Sequence, residues 1–321
     1  MKTLVLFLTL LRILVAKDAL PSWQDHTAKQ SIIKYVSSVI KKGSKEFIPV
    51  QDRIAVFDND GTLWSERPIY FQLQFAFDRV KTLAPQHPKW KKQEPFKSVL
   101  SDDLQGILKS GMKGLEEIVT ASHGGMDVDT SQKLVKEWVG TAKNSKKNRH
   151  YNELIFQPMM ELVSYLNQND FTVYIVSGGG IDFMRAFIPE KYGIPKEHII
   201  GSYGKAHFKD GKIIKDGGLV FNDDKSEKPV AIYRNIGKRP VMAFGNSDGD
   251  LEMLQYTDAN KKYKTFQLYV HHTDDVREWA YDRKSMVGKF DKGLDYAKEH
   301  KWAMVDMKND WRVIYPFELS K

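Results

Sequence analysis

A doubly wound α/β protein, a parallel sheet with helices on both faces, is the fold class that this sequence predicts. Three observations carry the prediction. Short apolar strands alternate with amphipathic helices from Gln157 onward, the pattern of a parallel sheet covered on both sides. A further strand, Ile54-Ala55-Val56-Phe57, stands far upstream of that series. Between them, residues 66–165 carry helical periodicity and few strand signals, as expected of an insertion into an α/β core.

The elements follow in order. Lys2 precedes an almost wholly apolar run from Thr3 to Ala16, interrupted by Arg12. That run has the length of a secretory leader and is too short to span a bilayer. A leader over residues 1–19, cut after Ala16 or Ala19, implies a periplasmic or secreted protein. Ile32, Ile33, Val36, Val39 and Ile40 recur at helical spacing and predict a helix from Gln30 to Lys42, ending near Gly43. The strand 54–57 comes next. "FQLQFAFDRV", "DLQGILKS", "LEEIV" and "TSQKLVKEWVGTA" then read as helices, the last with Thr130 as its N-cap. "KNSKKNRH", residues 143–150, reads as a solvated basic linker, since no aromatic residues interleave with its charges.

From Gln157, "PMMELVSYLNQND" is helical, and "FTVYIVSGGG" is a strand running into glycines. "IDFMRAFIPEKYG" is a helix closed by Gly193, and two strands meet at Asp210-Gly211, a hairpin turn. "RPVMAFGNSDGDLEML" gives strand, loop and helix, with Pro229 upstream as the first residue of another helix. "KTFQLYVHHTDD" is a strand, and the tail "WAMVDMKNDWRVIYPF" holds a strand-like stretch with no functional reading. No later segment is long and apolar enough to cross a membrane.

Composition narrows the chemistry. The chain has no cysteine, which excludes disulfides, thiolate metal sites and a cysteine nucleophile. Its formal net charge of +8 favours anionic partners without choosing among them. No nucleic-acid partner is expected, for want of a basic patch with aromatics.

Three strand tips carry unusual residues. The first delivers Asp58 and Asp60, the second Ser177-Gly178-Gly179-Gly180, the third Gly245-Asn246-Ser247-Asp248-Gly249-Asp250. In a parallel sheet ligands bind beyond the carboxyl ends of the strands, so neighbouring tips open into one crevice. Two carboxylates as close as Asp58 and Asp60 repel, and they call for a cation, a proton or a chemical task. Hard oxygen ligands suit Mg²⁺, and backbone amides suit phosphate oxygens.

"FDNDGT", the strand-terminal Ser177, a lysine ahead of the last motif and "GNSDGD" in this order resemble the haloacid dehalogenase (HAD) superfamily over roughly residues 50 to 275. The subgroup it looks most like is phosphoserine phosphatase-like, with a helical cap. The resemblance implies a Rossmann-like core over 20–65 and 161–321, a cap over 66–160, and a Mg²⁺-dependent phosphohydrolase acting on a small phosphorylated substrate. It makes Asp58 the nucleophile and Asp60 the general acid and base, the carbonyl of Asp60 also binding Mg²⁺. Dehalogenases lack a carboxylate at the position of Asp60. Thr62, Ser177 and Gly178 would bind the phosphoryl group. Lys225 and Lys228 both precede the last motif, and Lys228 is favoured because Pro229 starts a helix there. Asn246 stands where the family often has aspartate. Asp58, Asp60, Asn246 and Asp250 form the implied metal set, with Asp248 an alternative to Asn246. A phosphotransferase of the same fold, or a secreted phosphate-binding protein, are the rival functions. His271-His272 read as rim or core polar residues. Trp64, Glu66 and Arg67 lie just past the first motif, at the implied cap hinge and within reach of substrate, Trp64 equally as packing, while Tyr70, Phe71, Phe75 and Phe77 read as cap core.

Overall fold

The structure is a computed structural model that describes residues 18–319. The predicted leader, apart from Asp18 and Ala19, lies outside the described residues. Among those described, no helix is long and apolar enough to cross a membrane.

Strand β1 (Ile54–Phe57) stands at the centre of the sheet with all four residues buried. A continuous apolar run of that kind is what a strand covered on both faces requires. A two-stranded hairpin, β2 (Lys143–Asn144) and β3 (Arg149–His150), stands apart from the main sheet. β4 (Thr172–Gly180) lies parallel on one side of β1. Outside it come β5 (Ile199–Lys209) and its antiparallel partner β6 (Lys212–Phe221). β7 (Met242–Gly245) lies parallel on the other side of β1, followed by β8 (Phe266–His271) and β9 (Ala303–Asp306). The order is therefore β6-β5-β4-β1-β7-β8-β9. The chain winds outward to one edge, returns beside β1 and winds to the other. The tips of β4, β1 and β7 thus flank the switch point, where an α/β sheet opens a crevice.

Helix α1 (Thr27–Ile40) buries Ile32, Tyr35, Val36 and Val39, and begins three residues before Gln30, the predicted start. After β1 come α2 (Phe71–Leu83), α3 (Phe96–Leu100), α4 (Leu104–Lys109), α5 (Gly111–His123) and α6 (Val128–Thr141). Ala76, Phe77, Val80, Val99, Ile107 and Ile118 give these helices a small core of their own. Helix α7 (Gln157–Gln168) runs unbroken through residue 160 and lays Met159, Leu162, Val163 and Leu166 into the main core. The remaining helices are α8 (Ile181–Arg185), α9 (Ile188–Tyr192), α10 (Glu227–Ile236), α11 (Leu251–Asp258), α12 (Lys292–Glu299) and α13 (Met307–Asp310).

Local chemistry differs from expectation at three points. Asp127, not Thr130, caps α6: its side chain accepts from the Thr130 amide at 3.0 Å. A carboxylate at the N-cap reaches the N3 amide directly and also favours the positive helix end. Residues 143–150 are no free linker, because Lys146 and Lys147 lie over Trp279 at 4.6 and 4.8 Å from the ring centre. Pro229 is the third residue of α10, not the first. Its missing N–H costs nothing there, since the first helical amides have no partner within the helix. The Asp210-Gly211 turn has both φ angles positive, +49° and +79°, as a two-residue hairpin demands. The tail closes the base of the core: Trp311 stands edge-on to Trp23 at 5.9 Å, and both are buried.

Candidate active site

β1 ends at Phe57, and the chain turns at once so that Asp58 sits at the carboxyl end of the central strand. Gly61 makes this turn with φ +77°. A Cβ there would lie 2.0 Å from Asn246 Nδ2 and 2.5 Å from Glu66 Oε1, so glycine is required both for conformation and for space. His272, buried beneath the turn, has Nε2 2.7 Å from the Gly61 carbonyl and Nδ1 3.1 Å from Glu278. The loop that presents Asp58 is therefore tied to the end of β8.

Lys228, at the second position of α10, is 1% exposed and joins the tips of all three central strands. Its Nζ donates to Asp58 Oδ1 at 2.6 Å, to Asp250 Oδ1 at 2.7 Å and to the Val176 carbonyl at 2.9 Å. Burial alone would lower the pKa of this ammonium, but Asp250 and Asp58 outweigh it and hold it above the usual lysine range. Burial and the charge of Asp250 push Asp58 upward, and Lys228 opposes them. Lys225 is exposed and takes no part in these contacts.

Asp60 stands at the floor of the crevice, its Oδ1 accepting from Trp64 Nε1 at 2.8 Å. Burial raises its pKa to about 6. Trp64 is fully buried, stacked on Phe187 at 4.6 Å and edge-on to Phe71 at 4.7 Å, so the donor that holds Asp60 is fixed by packing. Ser177 is buried and accepts from the Gly179 amide at 3.1 Å. Asp60 Oδ2 and Ser177 Oγ both lie 3.4 Å from where a Cβ on Gly179 would stand, which places both beside the glycine turn. The Gly178 carbonyl is engaged by Ser202 at 2.8 Å.

The last motif divides its acidic residues. Asp250 uses both oxygens within the protein: Oδ1 takes Lys228, and Oδ2 takes the Asn246 and Ser247 amides at 2.9 and 3.0 Å. Asp248 turns away and accepts from the Asp291 and Gly293 amides at the start of α12. Asn246 stays at the site. Its Oδ1 lies 3.2 Å from Thr62 Oγ1, which also reaches Asp58 Oδ2 at 3.5 Å. Its Nδ2 donates to Glu66 Oε1 at 2.8 Å, and Tyr281 donates to the same oxygen at 2.7 Å. Glu66, 1% exposed and pushed up by burial, explains the amide at 246. An aspartate there would set a second carboxylate against a buried one.

Thr62 and Asn246 thus lie behind the nucleophile position, whereas Asp58, Asp60, Ser177, Gly178, Lys228 and Asp250 line a 670 Å³ cavity. Helices α2, α5 and α6 form one wall of it and the β5–β6 hairpin another. Tyr70 and Phe75, read as cap core, both reach this cavity. His271 is half-buried, 3.6 Å from Asp282. Sequence reading found the hairpin but not its place in the cavity wall, and it missed the support beneath Gly61, since both depend on contacts between residues far apart in the chain. Among the described residues no group of three or more His, Asp or Glu side chains is arranged to hold a metal. The available oxygens, Asp58 Oδ2 and Asn246 Oδ1 beside Thr62, are hard donors with one charge between them. They fit a Mg²⁺ that keeps waters and shares its shell with a phosphate.

Residues 55–255 match the family of haloacid dehalogenase-like hydrolases. The chain belongs to this family. In HAD terms the match runs from the central strand through the last motif. No curated protein matches the chain. Among solved structures, a conserved functionally unknown protein from Anaerococcus prevotii aligns at 15% identity and TM-score 0.51, covering 77% of this chain and 86% of that one. A protein of unknown function from Bordetella pertussis aligns at 14% identity and TM-score 0.50, covering 79% and 98%. A phosphoserine phosphohydrolase-like protein from Francisella tularensis aligns at 16% identity and TM-score 0.38, covering 68% and 87%. At these identities the first two alignments speak to the fold alone.

Proposed function

We propose that this HAD-family hydrolase is a Mg²⁺-dependent phosphomonoesterase that works through a phosphoryl group carried on Asp58. The observation that supports it best is Lys228, buried between Asp58 and Asp250 with Asp60 and Ser177 lining the same crevice. In this reading an oxygen of Asp58 attacks phosphorus and the bond from phosphorus to the ester oxygen breaks. Asp60, near pKa 6, gives its proton to the departing alkoxide. Asp60 then takes a proton from water as that water attacks the phosphoryl group, which restores Asp58 and releases phosphate. Lys228 offsets the charge of bringing an anion to a carboxylate. Ser177 and the glycine amides of the β4 tip orient the phosphoryl oxygens. Mg²⁺, held by Asp58, Asn246 and the Asp60 carbonyl, would supply further charge neutralisation at the phosphate. Asp250 acts through Lys228, which it holds in place.

The test is hydrolysis of a generic aryl phosphate by the wild type and Asp58→Asn, with Mg²⁺ and with EDTA. Turnover that needs Mg²⁺ and is lost in D58N supports the reading. Turnover that survives intact in D58N sinks it. Export follows the same logic: the mass of the mature N-terminus would show whether a leader is removed.

A further inference from the structure

The 670 Å³ cavity above Asp58 is far larger than a phosphate needs, and its walls say what the rest of the substrate is. Leu73, Leu115, Val119, Val128 and Val135 line it from α2, α5 and α6, with Ile213 opposite on the hairpin. No arginine lines it among the described residues. Of the lysines, Lys228 is taken by Asp58 and Asp250, and Lys215 is paired with Asp182. That leaves Lys205, on the exposed part of the hairpin. His123 lines the same wall, hydrogen-bonded to Ser122 at 2.7 Å, and burial lowers it to about 4, so it is neutral at physiological pH. An anionic body held against α2, α5 and α6 would be buried with no cation on those helices, an arrangement that proteins avoid.

Three acidic side chains of the wall are engaged as well. Glu116 Oε1 accepts from the Leu219 amide at 2.8 Å, and Glu66 from Asn246 and Tyr281. Asp182 holds Lys215. Asp224 sits at the floor beside Gly249. The Glu116 bond also zips the hairpin to α5, helped by the Gly125 amide donating to the Lys215 carbonyl at 2.7 Å and the Lys215 amide to the Met126 carbonyl at 2.9 Å. The apolar chamber is therefore closed on two sides by bonds that do not involve substrate.

Building on the phosphomonoesterase reading above, we infer that the substrate is the phosphate monoester of an uncharged, apolar alcohol, whose carbon body fills the chamber between α2, α5, α6 and the β5–β6 hairpin. An ester with a carboxylate on its body, such as O-phosphoserine, finds no cation on those helices.

The experiment compares kcat/KM by phosphate release for ethyl, butyl, hexyl and octyl phosphate, and for hexyl phosphates ending in a carboxylate or an ammonium. Each methylene that enters the chamber should raise kcat/KM by about fourfold until the chamber is full. Either terminal charge should lower it by at least about tenfold. A flat dependence on length, or a preference for either charged ester, would overturn the inference. Calorimetric binding of the matching alkylphosphonates reads the same chamber without turnover. Affinity that rises with length while no ester is hydrolysed would remove the catalytic reading and leave the chamber's specificity standing. Affinity indifferent to length would remove the latter. Val119→Lys, which supplies the missing cation, should invert the ratio of hexyl to carboxyhexyl phosphate.

Discussion

Replacing Lys228 by methionine, similar in length and without charge, tests the centre of the site most directly. In the wild type Asp58 Oδ1 and Asp250 Oδ1 both bond Nζ, so they are no more than 5.3 Å apart, the sum of 2.6 and 2.7 Å. Both carboxylates are buried, at 6% and 1% exposure. Two like charges at that separation repel by about 3 kcal/mol at an effective dielectric of about 20. The Val176 carbonyl also loses its donor. The expected destabilisation of K228M at pH 8 is therefore about 3–5 kcal/mol, as for other buried pairs that lose one partner. The sign of the pH dependence follows from Asp58. Burial and Asp250 already push its pKa upward, and the variant lacks the ammonium that opposes them. A carboxyl raised in the folded state contributes stability at low pH that is lost as pH rises through the folded pKa. The gap between wild type and variant should thus shrink by at least about 1 kcal/mol on going from pH 8 to pH 5. Urea unfolding followed by tryptophan fluorescence at the two pH values measures it. A destabilisation under about 1 kcal/mol, or one equal at both pH values, would refute the electrostatic account of Lys228.

Three other perturbations have definite outcomes. Asp60, raised to about 6, destabilises the fold once ionised, so Asp60→Asn should gain about 1–3 kcal/mol at pH 8 and nothing below about pH 4. The same variant should lose hydrolysis of alkyl phosphates, and unchanged stability at pH 8 would count against a buried charge. Gly61→Ala puts a Cβ against Asn246 and Glu66 at positive φ, and should lower stability by about 2–3 kcal/mol in calorimetry. A wild-type melting temperature would show that the turn has slack. His272→Phe removes the bond to the Gly61 carbonyl and leaves buried Glu278 with only the Trp279 amide, so both Tm and kcat should fall while KM changes little. A KM effect alone would mean that His272 does not position the nucleophile loop.

The sequence by itself determined the α/β class, the central strand 54–57, the hairpin at Asp210-Gly211 and the residues at the three strand tips. These rest on local rules: an apolar run bounded by turn residues, a glycine where φ is positive, carboxylates at a strand end. Its local errors arose where two groups nearby in sequence compete for one role, as Asp127 and Thr130 do at the start of α6. The tertiary structure decided what depends on approach in space. It separated Lys228 from Lys225, because only the residue at the second position of α10 points between the strand tips. It turned Asp248 toward α12 and kept Asn246 beside Thr62. It brought Asn246 and Tyr281 onto one oxygen of Glu66, 180 and 215 positions away, and the Asn246 contact accounts for an amide where a carboxylate was expected. Strand order and side-chain packing set these distances, and neither is written in the spacing of residues along the chain.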